Sequence, residues 1–251
     1  MTQNSIEAAA RALARAHNVV VFTGAGVSRE SGIATFRDPE EGLWTKYDPM
    51  EMATLEGYVR DPAYVWAWYE HRFGTVDAAE PNPGHRAIAE LEQLAPSVVV
   101  VTQNIDGLHQ RAGSSDVIEL HGTMHRFACL HRTHGGYTLD DLAGQDERPP
   151  RCPECGDLIR PDVVWFGEAL PEDELRRAQL LAGSCDAMLV VGTSAVVFPA
   201  AALPLQALEA AAVVIDVNPE PGALTPKATI SLRGRGGDIL PQLIEELRAR
   251  A

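Results

Sequence analysis

Apolar, β-branched runs recur along the chain, separated by stretches of helical spacing. The runs are VVVF at 19–22, VVVVT at 98–102, VIEL at 117–120, MLVV at 188–191, VVIDV at 213–217 and ATISL at 228–232. Runs that are mainly continuous, unlike the alternating pattern of a strand with one wet face, read as parallel strands buried on both sides. Between them Ile88, Leu91 and Leu94 fall at helical spacing within 85–95, residues 200–212 are rich in alanine and leucine, and 238–250 repeats Ile239, Leu243 and Leu247. The alternation predicts an α/β fold, a doubly wound parallel sheet with helices on both faces.

Two stretches break the rhythm. Residues 38–84 are aromatic, punctuated by proline and expected to be helical, while 124–162 carry His131, His134, two glycines, paired prolines and a CPEC sequence. Both are expected to be insertions forming a smaller lobe, with 1–37, 85–123 and 163–251 left to the sheet domain. A chain of 251 residues suffices for one such unit. No apolar run approaches the ~18 to 20 residues of a membrane span. The opening MTQNSIEAAARALARAH lacks the apolar core of a secretion signal, so a soluble, cytoplasmic protein without a membrane partner is expected. A formal charge of −14, from 35 acidic against 21 basic residues, works against a nucleic-acid partner. Four cysteines do not make a disulfide framework in a chain this long. Cys185 precedes a buried run and reads as an inert core thiol, whereas the Cys152–Cys155 spacing suits metal or redox chemistry.

The first run leads straight into Thr23-Gly24-Ala25-Gly26-Val27-Ser28. Glycines at a strand-to-helix turn let the backbone approach a pyrophosphate, whose charge is met by amides at the helix N-terminus. A tight glycine turn without a ligand is the alternative. The dehydrogenase fingerprint is not matched, because Ser28 replaces the third glycine and no lone acid ends a second strand ~20 residues on. Other strand ends gather polar groups too: Gln103, Asn104, Asp106 and His109 after the second run, His121 after the third, Thr193 and Ser194 after the fourth, Asn218 after the fifth. Ligands of an open α/β sheet bind beyond the carboxyl ends of its strands, so five such ends predict one site. Taken singly, each residue is equally well a helix cap, and His121 a buried structural histidine.

Six segments, GAGVSRESGIATFR at 24–37, TQNIDGLHQRAG at 102–113, HG at 121–122, RPDVVWFGEALP at 160–171, GTS at 192–194 and VNPEP at 217–221, resemble in order the motifs of the sirtuins. Sirtuins are NAD-dependent protein lysine deacylases, and the resemblance spans nearly the whole chain. It implies a dinucleotide-binding domain joined to a small zinc-bearing lobe, with acylated lysine of a protein substrate in the cleft between. It implies that Gly24, Ala25, Gly26 and Ser28 cradle the pyrophosphate of NAD, with Phe36 and Arg37 over the nicotinamide ribose. Gln103, Asn104, Ile105 and Asp106 are implied to hold nicotinamide and ribose. Gly192, Thr193, Ser194 and Asn218 would take the adenosine half, with Gly236 closing the pocket where many relatives carry alanine. His121 is implied as general base toward the ribose hydroxyl, with Asn104 and Asp106 as orienting groups. Val163, Val164, Phe166, Gly167 and Glu168 would receive the peptide as an added strand, opposite Phe198 and Pro199; VVW could also be a core strand. A mono-ADP-ribosyltransferase shares the nicotinamide-cleaving half of this chemistry, and an NAD sensor would share the site without turnover.

The chain departs from the family at the metal. Two CxxC pairs are expected, but the first reads Cys129-Leu130-His131-Arg132. Cys129, Cys152 and Cys155 remain as ligands. The fourth is open: His131 or His134 in a Cys3His zinc site, a weakened three-thiolate site, or a lobe without metal. In the 38–84 insertion Tyr69 and Arg72 stand at i, i+3 on one helix face. They resemble the Tyr-x-x-Arg of class III sirtuins, which prefer malonyl, succinyl and glutaryl lysine, and the planar fork of arginine suits a terminal carboxylate. The alternative is a packed helix whose Arg72 pairs with a nearby acid.

Overall fold

The computed structural model describes residues 3–35 and 46–250. All six predicted runs are strands of one sheet: β1 (Asn18–Thr23), β2 (Ser97–Thr102), β3 (Val117–Glu119), β7 (Ala187–Val191), β8 (Val213–Asn218) and β9 (Ile230–Arg233). Their spatial order is β3-β2-β1-β7-β8-β9, and every pairing is parallel. The order reverses between β1 and β7, where an open α/β sheet forms its ligand crevice. Successive side chains go to opposite faces, as the pleat requires. Val19, Val21, Val98, Val100, Leu189 and Val191 share a core with α1 (Gln3–Leu13), α5 (Pro83–Leu91) and α9 (Gly236–Arg248). Val20, Phe22, Val99, Val101, Met188 and Val190 pack instead with α7 (Glu172–Ala182) and α8 (Leu203–Glu209).

The described part of the first insertion folds into α2 (Pro49–Met52), α3 (Leu55–Arg60) and α4 (Pro62–Ala78). Asp48, Thr54 and Asp61 cap them by accepting from the amides of Met50, Gly57 and Tyr64. Pro49 and Pro62 take first-turn positions, where a missing N–H costs nothing. The second insertion is a three-stranded antiparallel sheet, β5 (Gly135–Tyr137), β4 (Gly122–Cys129) and β6 (Ile159–Val163) in that order. Val65, Trp66, Tyr69 and Phe73 of α4 share a third core with Met124, Phe127, Ile159 and Trp165. VVW at 163–165 is not an internal strand: β6 ends at Val163, and Trp165 turns into that third core. A short helix, α6 (Leu108–Ala112), follows the loop after β2. Among the described residues no helix is long and apolar enough to cross a membrane.

Gly122 is the crossing point, where the chain leaves the parallel sheet after His121 and enters the lobe. Its φ is +73°, and a Cβ there would sit 2.0 Å from the Asp162 carbonyl oxygen. Main chain cannot swing aside as the end of a flexible side chain does, so Gly122→Ala forces both strain and a shifted strand pair. We expect a loss of ~3 kcal/mol, which for a chain of this size lowers Tm by roughly 10 °C. Thermal denaturation followed by circular dichroism measures it; a Tm within about 2 °C of the parent would show that the crossing accepts a side chain.

Candidate active site

The carboxyl ends of the central strands open into a cavity of about 740 Å³. Gly24, Ala25 and Gly26 line it after β1, Gln103, Asn104 and Ile105 after β2, and His121 after β3. Gly192, Thr193 and Ser194 line it after β7, and Asn218 at the end of β8. The same cavity reaches Tyr69 and Arg72 of α4, Val163 to Glu168, and Phe198 with Pro199. Three residues expected at the ligand do not line this cavity. Ser28 and Asp106 are buried behind the wall, and Gly236 is buried at the start of α9 beside Val191. Phe36 and Arg37 lie outside the described residues.

The glycines after β1 have a packing role as well as an open face. Gly26 N–H donates to the Gly192 carbonyl at 2.8 Å, and a Cβ on Gly26 would lie 2.7 Å from that oxygen. The loops after β1 and β7 therefore cross in backbone contact at the reversal of strand order. The tight glycine turn therefore also presents backbone to the cavity.

Behind this wall lies a buried polar network. Ser28 Oγ donates to Asp106 Oδ2 at 2.7 Å and accepts from Asn104 Nδ2 at 3.0 Å, while Asp106 Oδ1 accepts from the Leu108 amide at 3.0 Å. Beside Ser28 sits His85, whose ring meets that of His109 with centroids 4.9 Å apart. Thr23 Oγ1 donates to Thr102 Oγ1 at 2.8 Å, which uses its hydrogen. His109 Nε2, 2.9 Å from Thr23 Oγ1, must then be the donor. Burial lowers the His85 pKa to about 4, against the nearby charge of Asp106. Burial, reinforced by His85, lowers that of His109 to about 3.

Both rings are thus neutral when folded, yet take up protons near pH 6.5 once the chain unfolds. Their contribution is fully present above pH 6.5 and is lost as pH falls toward 4 and then 3. Between pH 7 and 5 each histidine should remove ~2 kcal/mol of unfolding free energy. Urea denaturation at several pH values is expected to show this slope, and His109→Gln, which keeps a donor for Thr23, should remove about half of it. An unaltered slope in that variant would assign the pH dependence to other groups.

His121 Nδ1 lies 2.9 Å from the Gln103 carbonyl. A carbonyl only accepts, so the ring proton sits on Nδ1 and Nε2 keeps its lone pair. Burial lowers the pKa of the ring, outweighing the bond to Gln103. Across the cavity, the buried Tyr69 hydroxyl accepts from Trp165 Nε1 at 2.8 Å, and the Arg72 guanidinium stands 4.9 Å from the centroid of the Trp68 ring. Burial lowers the Arg72 pKa. Arg72 is therefore both a packed helix residue and a cavity residue. Glu168 is already engaged: its oxygens bind Arg160 at 2.5 and 2.9 Å, and one also accepts from the Trp165 amide at 2.8 Å.

Known proteins share this arrangement. The chain matches the Sir2 family over residues 24–199. It belongs to the Sir2 family. Over 238 residues, 95% of this chain and 94% of the relative, it is 52% identical to the NAD-dependent protein deacylase 2 of Pyrobaculum aerophilum. It is 50% identical over 239 residues, 94% and 95% of the two chains, to the NAD-dependent protein deacylase of Pyrococcus furiosus. A mutant Sir2 homologue solved in complex with ADP-ribose superposes with a TM-score of 0.91 at 42% identity, covering 100% of this chain and 98% of that one.

In this Sir2-family chain the residues that could hold a metal include His134. Ligand atoms of Cys129, His134, Cys152 and Cys155 lie within 4.8 Å of one another, whereas His131 is exposed and outside the group. Burial raises the Cys129 thiol, but hydrogen bonds from Thr133 and His134 outweigh it and bring the pKa to about 6, so the thiolate ligand form prevails at neutral pH. Three sulfurs and one imidazole fit a closed tetrahedral zinc site, which is structural because no position is left for substrate. Elemental analysis is expected to give about one zinc per chain. His134→Ala should lower that occupancy several-fold and His131→Ala should not; equal occupancy in both variants would remove His134 from the site.

Proposed function

We propose that this protein is an NAD-dependent protein lysine deacylase that favours acidic acyl groups, succinyl, malonyl and glutaryl, over acetyl. The observation that carries this reading is the single cavity. It is walled by the glycine-bearing strand-end loops and by Tyr69 and Arg72, and lined between them by a histidine whose tautomer is fixed. The deacylase names of its relatives support the same reading. NAD would supply a ribose carbon that exchanges nicotinamide for the acyl oxygen; attack by the ribose hydroxyl and then addition of one water would break the bond to lysine, so that the products are nicotinamide, free lysine and O-acyl-ADP-ribose.

The residues present fit that co-substrate. Gly24, Ala25 and Gly26 would face the pyrophosphate, with Gly192, Thr193, Ser194 and Asn218 at the adenosine half. Gln103, Asn104 and Ile105 would face nicotinamide and its ribose. Ser28 and Asp106 act from behind the wall: Ser28 fixes the Asn104 amide, and the Asp106 carboxylate holds Ser28. His121 Nε2, neutral because burial disfavours its charged form, accepts the proton of the ribose hydroxyl. Exposed Phe166 and Phe198 would flank the lysine stem. Tyr69 and the buried cation of Arg72 would receive the acyl carboxylate, where a charge-assisted bond is worth most. Four cysteines outside disulfides suit a reducing cytoplasm.

The test is a panel of acetyl, malonyl, succinyl and glutaryl peptides of one sequence, incubated with NAD and read by mass spectrometry. Nicotinamide release should require an acylated peptide and run fastest with the acidic ones; ADP-ribose on protein in the absence of peptide would point to transfer instead. Arg72→Met is expected to lower kcat/KM for succinyl relative to acetyl peptide by roughly ten- to 150-fold. Equal losses on the two substrates would exclude the acidic preference.

A further inference from the structure

Trp165 lies in the segment between β6 and α7, and its buried side chain reaches the acyl end of the cavity. Its indole nitrogen can only donate, and it donates to Tyr69 Oη at 2.8 Å. A phenol oxygen that accepts there has one hydrogen left to give, and a fixed direction in which to give it. Trp165 itself is held on three sides. Its main-chain amide is bound by Glu168, the Arg160 guanidinium stacks 3.3 Å from the centroid of its ring, and the Tyr58 ring packs with centroids 5.1 Å apart. Tyr69 is wedged between Trp68, edge-on at 4.8 Å, and Phe73 at 6.2 Å. The donor and its acceptor are both locked.

We infer that Trp165 is a specificity-determining positioning residue: its indole N–H makes Tyr69 an obligate donor toward an anionic acyl group lodged beside Arg72. This rests on the acidic-acyl reading of Tyr69 and Arg72. A carboxylate is acceptor-only, so it gains from a hydroxyl that cannot turn to accept, while an acetyl methyl gains nothing. The indole thus acts on the difference between substrates rather than on the reaction they share.

The experiment compares succinyl and acetyl peptides of one sequence with the parent, Trp165→Phe, Tyr69→Phe, the double variant and Arg72→Met. Trp165→Phe keeps an aromatic ring for Arg160, though a smaller one, and removes the donor. It is expected to lower the succinyl-to-acetyl ratio of kcat/KM roughly three- to tenfold, the size of one lost hydrogen bond, with the change in the KM for succinyl peptide. In the Tyr69→Phe background the same substitution should add nothing, because the bond is already gone. Tyr69→Phe removes that bond from its other end and should shift the ratio the same way even if Trp165→Phe proves too unstable to assay. An unchanged ratio in either single variant overturns the proposal, as does an additive loss in the double variant. If Arg72→Met lowers the ratio and Trp165→Phe does not, only the role of Trp165 falls. If Arg72→Met leaves the ratio unaltered, the acidic-acyl reading falls and this inference with it.

Discussion

The guanidinium of Arg160 has no accessible surface, and a charge so buried is tolerable only when matched. Glu168 matches it with two hydrogen bonds, the Val163 carbonyl accepts a third at 2.8 Å, and the Trp165 ring covers one face at 3.3 Å. Breaking a buried pair of this kind costs ~3–5 kcal/mol because the survivor is stranded. Every partner of Arg160 belongs to the lobe side of the cavity. The end of β6, the turn from Val164 to Glu168 and the indole that touches Tyr69 are therefore fixed to one another before any ligand arrives. Glu168, which sequence resemblance places at the peptide, is committed to this charge.

The strand-end side of the cavity is built on the opposite principle. Its interior polar groups are kept neutral where a charge would lack a partner: His85 and His109 hold no proton beyond the neutral form, and the carboxylate of Asp106 is met by Ser28 and the Leu108 amide. His121 joins the two sides. Its ring is held by the Gln103 carbonyl from the strand-end side, and its own carbonyl accepts from the Val164 amide of the lobe side at 2.9 Å. The position of the ring follows from both walls at once.

How much of this was legible in the sequence depended on periodicity. Runs such as VVVF and VVVVT must be doubly buried strands, and six of them in alternation with helices leave few topologies. Helix α1 is not evident in the sequence because half of its buried face is alanine, with Ile6, Ala9, Ala10 and Leu13 buried; so weak an apolar stripe does not stand out from its polar neighbours. The antiparallel sheet of the lobe was hidden for a related reason: β4 reads GTMHRFAC, bulged and only partly alternating. His85 could not have been found. In PNPGH it looks like an ordinary first-turn residue after a capping asparagine, and only tertiary packing buries it beside His109. Ser28 and Asp106 were legible as polar residues at strand ends, but whether such a side chain faces a ligand or supports one that does is decided by rotamer and burial, which spacing does not encode.

The fourth metal ligand turns on a local geometry of the same kind. Arg132 stands where a thiolate was expected, with φ +56°, a left-handed conformation uncommon outside glycine. The chain turns there, and His134, two residues on, reaches the three cysteines. Arg132 extends instead to Asp162 and donates to the Val163 carbonyl at 2.6 Å, the same oxygen that Arg160 binds from within. That carbonyl has both lone pairs engaged, and the amides of Val164, Trp165, Phe166 and Glu168 already donate to His121, Glu168, Ala53 and Trp165. Most main-chain amides of 163–168 are thus already bonded within the wall itself, which would leave a strand added there only a short run of main-chain partners.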